Sequence, residues 1–90
     1  METTATTNKD IEITSVYFKK GSNGLESYPR SMVYEGKEYS FIEETLRYLI
    51  TTRDQLIQLF DVSDGRHEYR LRLDNANHWT LVGVKSGAAA

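Results

Sequence analysis

Apolar and polar residues alternate with a period of two along much of this chain, the mark of half-buried strands. The clearest run is residues 68–73, where Tyr69, Leu71 and Leu73 share one face and Glu68, Arg70 and Arg72 the other. Residues 11–14 alternate in the same way, and the apolar phase then slips at Ser15 into Val16-Tyr17-Phe18. A one-residue slip predicts a β-bulge. Turn signals punctuate the runs. Gly21-Ser22-Asn23-Gly24 predicts a loop, and Glu35-Gly36-Lys37-Glu38 predicts a hairpin between Met32-Val33-Tyr34 and Tyr39-Ser40-Phe41. Asp64-Gly65 marks a turn between residues 58–62 and 68–73, and Asp74-Asn75-Ala76-Asn77 leads into a last strand over 78–84. Pro29 lacks a ladder donor and is expected to open a strand at its edge.

Residues 41–60 read in two ways. Ser40 with Glu43 forms a capping box, behind which Ile42, Leu46, Leu49 and Ile50 lie on one helical stripe. Ile42, Leu46, Tyr48 and Ile50 equally fit a strand, with Glu44 the misfit and residues 51–54 turning it into a second strand over 55–62. Strand is the preferred reading, and a short helix near 41–50 is the α+β alternative. Short connections between successive strands favour an antiparallel meander. So small a sheet must curl to cover its apolar face, so the expected architecture is mainly β: an SH3-like barrel or a strongly twisted sheet. Residues 1–9 are Thr-rich and apolar-poor and are expected to be a flexible tail, as are residues 86–90. A single domain over 10–85 remains.

Composition narrows the function classes. The 90-residue chain suits one domain, and its six Tyr, three Phe and one Trp can anchor a modest core. A net charge of −2 argues against general duplex binding. With no cysteine, disulfides, Cys-ligated metal and Cys nucleophiles are excluded. The first residues lack a signal-peptide pattern and no apolar run approaches membrane-spanning length, so a cytoplasmic location away from membranes is expected.

One pattern extends across the domain. Tyr28-Pro29-Arg30, then Tyr34-Glu35-Gly36-Lys37-Glu38-Tyr39, then Tyr69-Arg70-Leu71-Arg72 and Trp79-Thr80-Leu81 follow in order. The chain thereby resembles a group of small bacterial β-rich proteins that pair a YPR…G-x-x-Y hairpin with a YRLR…W-x-L hairpin. The resemblance implies a bacterial β domain and carries over no catalytic or ligand residue.

Candidate chemistry is sparse. His67 and His78 flank adjacent turns and are the weak candidates for a metal site, which needs three or four converging N/O ligands. An EF-hand registered on Gly65 puts Phe60 and Leu71 at ligand positions, and the reading fails. No serine lies in a nucleophile elbow, no phosphate-binding glycine motif is present, and no cofactor is expected.

Arg70 and Arg72 project from one strand face. With Arg30, Tyr28 and Trp79, and with Lys19, Lys20, Arg66 and Tyr34 nearby, they make a candidate single-strand nucleic-acid surface. Residues 78–84 are apolar on both faces, Trp79 and Leu81 on one and Val82 and Val84 on the other. That surplus predicts either barrel closure or a docking patch. The leading functional reading is a non-enzymatic protein-interaction module, as a homodimer or with another protein. The alternative is the single-stranded nucleic-acid binder.

Overall fold

A computed structural model describes residues 3–21, 24–42 and 45–86. Eight strands follow in order: β1 (Thr3–Asp10), β2 (Glu12–Gly21), β3 (Gly24–Tyr34), β4 (Lys37–Ser40), β5 (Leu46–Thr51), β6 (Leu56–Ser63), β7 (Glu68–Leu73) and β8 (Trp79–Ser86). They form two antiparallel sheets, a five-stranded one in the order β1-β8-β7-β6-β5 and a three-stranded one in the order β2-β3-β4. The expected meander is present, as β5 to β8 in one sheet and β2 to β4 in the other. The sheets do not close on each other, which corrects the barrel alternative. Among the described residues there is no helix, and Leu46–Thr51 is a strand, as preferred for that segment. Glu43, which the capping box required, and Glu44, the misfit of the strand reading, lie outside the described residues.

The turns follow their local chemistry. Tyr34 faces Lys37 across a two-residue turn whose central residues, Glu35 (φ 52°) and Gly36 (φ 78°), both adopt the left-handed region. A turn of that handedness matches the twist of the strands it joins. In the β6–β7 loop Asp64 Oδ1 accepts the amides of Arg66 and His67, each at 2.8 Å, and Gly65 supplies the positive φ. Asp74 repeats the device between β7 and β8, accepting the amides of Ala76 and His78 at 3.0 and 3.1 Å.

The core lies between the sheets. Phe60, Val62, Tyr69, Leu71 and Leu81 from the larger sheet meet Met32 from β3 and Phe41, just after β4. The rings interlock across the gap: Tyr28 stands edge-on to Phe60 at 6.1 Å, and Tyr39 tilts against Tyr69 at 5.8 Å. Each large side chain buried in this way contributes about 1.5–3 kcal/mol. Residues 69, 71 and 73 point inward and 68, 70 and 72 outward, as the alternation requires.

Three expectations change. Residues 3–9, read as tail, form β1 together with Asp10 and pair with β8 from Thr3↔Ser86 to Asp10↔Thr80. Thr is a good strand former, and this segment forms a backbone ladder with β8. Residues 87–90 lie outside the described residues. Pro29 sits inside β3 rather than at its start. Its missing N–H is tolerated because β4 reaches only Ser31 to Tyr34, and because the β2–β3 register shifts beside it at Ser15. The predicted slip at Ser15 is that same irregularity.

The third change concerns β8. Arg70 pairs with Gly83 and Leu71 with Leu81, so Val82 is an extra residue, a bulge. The bulge turns Val84 to the core side with Trp79 and Leu81, and Val84 packs against the core cluster. The two-faced apolar pattern of residues 78–84 thus comes from a phase slip, and neither barrel closure nor a docking patch on β8 is needed to explain it.

Candidate docking edge on β5

Five of the nine exposed large apolar residues among those described gather elsewhere, apart from Val16, Phe18, Leu25 and Ile42. Leu46 is 60% exposed and Leu49 55%, and Tyr48, Ile50 and Leu56 are each more than two-fifths exposed. All sit on β5 or at the start of β6. The pairing of β5 with β6 fixes their directions. Arg47 lies opposite Phe60 and Leu49 opposite Gln58, on the core side, while Leu46, Tyr48 and Ile50 lie opposite Asp61, Leu59 and Ile57 on the outer side. β5 is the last strand of its sheet, so among the described residues one row of its backbone donors and acceptors has no strand beside it.

Arg47 is the one charged residue of β5, and it is turned inward. Its Nη1 donates to Glu26 Oε2 of β3 at 3.2 Å, and its Nε and Nη2 donate to Gln58 Oε1 at 3.1 and 2.9 Å. Leu46, Tyr48 and Ile50 are left as a neutral stripe beside an open edge. Sequence reasoning grouped Leu46, Tyr48 and Ile50 on one strand face but missed that this face is exposed, because sheet order is not written in local pattern. The signal available was the apolar surplus of residues 46–50 itself.

The residues singled out from sequence fall into separate groups. Arg70 and Arg72 do share the outer face of the larger sheet. Arg70 is already engaged: its Nε and Nη2 donate to both oxygens of Asp61, at 2.8 and 2.9 Å, and its guanidinium lies 5.7 Å from the centre of the Tyr48 ring. Its pKa is raised, first by the bond to Asp61. Arg72 is half-buried; its Nε and the Thr80 Oγ1 are buried with no hydrogen-bond partner among the described residues. Tyr28 and Trp79 are on the opposite side of that sheet. They converge on the Phe60 ring, with Trp79 at 5.4 Å, and Tyr28 also stacks on Tyr17 at 5.5 Å. Burial and the bond to Glu26 raise the Tyr28 pKa. Arg30 is on β3, where it is an extra residue at the register shift. The candidate arginines and aromatics therefore do not form one groove.

His67 and His78 stand in the loops at opposite ends of β7. His78 Nε2 lies 2.8 Å from Asp10 Oδ1, and its Nδ1 is 3.8 Å from Asp74 Oδ2. Among the described residues no group of three His, Asp or Glu side chains converges as a metal site would require. A concavity of about 500 Å³ at one end of the sheets is lined by Tyr34, Tyr39, Tyr69 and His67 among others. Several of its polar groups are already occupied: Lys37 lies over the Tyr39 ring at 5.5 Å, and Asp64 holds the Tyr69 hydroxyl at 2.7 Å. No helix among the described residues is long and apolar enough to cross a membrane.

Fold and surface together define a small β-sheet domain with an open apolar edge. Comparison with known protein families, with curated proteins and with solved structures finds no match to this chain.

Proposed function

We propose that this chain is a non-enzymatic protein-interaction module that receives an extended segment of a partner along β5. The observation that carries this reading is the exposure of Leu46, Tyr48, Leu49 and Ile50 on a strand that ends its sheet. Strand addition supplies main-chain hydrogen bonds along the edge, and side chains on alternate positions supply selectivity. Here the outer stripe favours an apolar, uncharged segment. The nucleic-acid alternative draws less support, because Arg70 is committed to Asp61 and the candidate rings pack inside.

The test is selection of extended peptides from a random displayed library against the immobilised protein. Recovered peptides are expected to be apolar at alternate positions, to shift the amide resonances of residues 46–51, and to lose binding to the Ile50→Lys variant. Peptides that map to another surface, or bind the variant equally, would remove the reading.

A further inference from the structure

We propose that the partner on β5 is a second copy of this chain, paired antiparallel about Tyr48 so that two five-stranded sheets join into one. The proposal rests on reading β5 as a docking edge, and adds the identity of the occupant. Its first support is a comparison of edges. Among the described residues four strands end a sheet: β1, β5, β2 and β4. Protein sheets blunt such edges with bulges, charges or brevity. β1 carries an irregularity between Thr6 and Lys9, with Asn8 at φ 50°, followed by the charges of Lys9 and Asp10. β2 carries the shift at Ser15 and the exposed Lys19 and Lys20. β4 is four residues long and includes Lys37 and Glu38. β5 has neither a bulge nor an outward charge: its ladder is unbroken from Leu46 to Thr51, and its one charge, Arg47, points inward and is held by Glu26.

The second support is self-complementarity. Residues directly opposite in an antiparallel pair share a face, so β5 can meet its own copy only in registers that keep outer residues together. Centred on Tyr48, Leu46 faces Ile50 of the other copy, Tyr48 faces its equivalent, and Arg47 faces Leu49. The whole outer stripe is then matched apolar to apolar. Centring on Leu49 would set Leu46 against Thr52, and centring on Arg47 would oppose two guanidinium groups. A neutral stripe that matches itself residue for residue needs no charge on its partner, and a second copy meets that requirement. The strand is short, so the interface falls at the small, transient end of the size range, and association is expected between about 10 μM and 1 mM.

Sedimentation equilibrium of the full chain tests this. The apparent mass is expected to rise from 10.3 kDa toward twice that value across the stated concentrations. The Ile50→Lys variant is expected to stay monomeric, and the double variant Leu46→Glu with Ile50→Lys to recover association. In the Tyr48-centred register the introduced carboxylate faces the introduced ammonium of the other copy. A wild-type chain monomeric to about 1 mM, association indifferent to Ile50→Lys, or a double variant that stays monomeric would overturn the proposal. Hydrogen exchange at residues 46–51 of the wild-type chain, expected to slow as concentration rises, reads the same association without any variant. If the chain stays monomeric while library-selected peptides still bind β5, the second copy is excluded and the docking edge stands. Loss of both removes both.

Discussion

Arg47 of β5 and Glu26 of β3 join the two sheets at 3.2 Å, and this contact holds the one charge of β5 on the core side. Both side chains are about one-fifth exposed, at 22% and 21%, so solvent screens the pair only in part. Glu26→Ala leaves the guanidinium with Gln58 alone. The expected loss is about 1 kcal/mol of stability, read as a lower urea midpoint with an unchanged slope. Any association through β5 is expected to weaken too, because an unpaired guanidinium beside the edge must be desolvated.

Stability is predicted to fall in acid through Asp64. Burial, the largest single influence, would raise its pKa. The amide of His67, the hydroxyl of Tyr69 and the amide of Arg66 together outweigh it and hold the carboxyl below its ordinary 3.8. A carboxyl depressed in the folded state releases its proton more readily there than in the unfolded chain. Its contribution is therefore complete above about pH 4 and lost as pH falls through the folded value. Asp74, lowered first by the amide of His78, acts in the same direction. Urea midpoints measured from neutrality down to about pH 2.5 should decline below pH 4, and less steeply in Asp64→Asn.

Tyr69 predicts the opposite arm. Burial first, and then its bond to Asp64, raise its pKa well above the ordinary 10.0. The neutral phenol is favoured by the fold, so its contribution is complete below pH 10 and lost as pH rises beyond. Tyr69→Phe should flatten the alkaline decline while costing about 1 kcal/mol at neutrality, where Asp64 loses a donor. Ultraviolet titration of the phenols, wild type against variant, checks the assignment.

Core and docking edge should separate under mutation. Leu71 is fully buried at the centre of the larger sheet, whereas Leu46 is 60% exposed. Leu71→Ala is expected to cost about 2–5 kcal/mol, a large share of the total a domain of this size holds. Leu46→Ala is expected to stay within about 0.5 kcal/mol, and to reduce partner binding. Thermal melts and peptide affinity measured on both variants check this contrast.

Much of the fold was legible in the sequence, for reasons that also mark where legibility ended. The strand over residues 68–73 was readable because one face is buried and the other wet, and Gly36 and Gly65 announced their turns because both sit at positive φ. β1 left no signal because it contributes its backbone ladder without an apolar pattern. The surplus of β8 was misleading because the bulge at Val82 resets the phase, and the period seen in sequence assumes an unbroken ladder. Arg70 looked like a free cation until strand pairing placed Asp61 opposite it. The β5 edge stayed hidden because exposure is a property of sheet order, and sheet order depends on pairings that local pattern does not encode.

The most direct test of the docking edge is residue-resolved hydrogen exchange of the full chain, alone and with a β5-selected peptide in excess. Protection is predicted to rise at the outward amides of residues 46–51, while those of β1, β2 and β4 keep their rates. Protection that appears on one of those other edges, with residues 46–51 unchanged, would contradict a docking edge on β5.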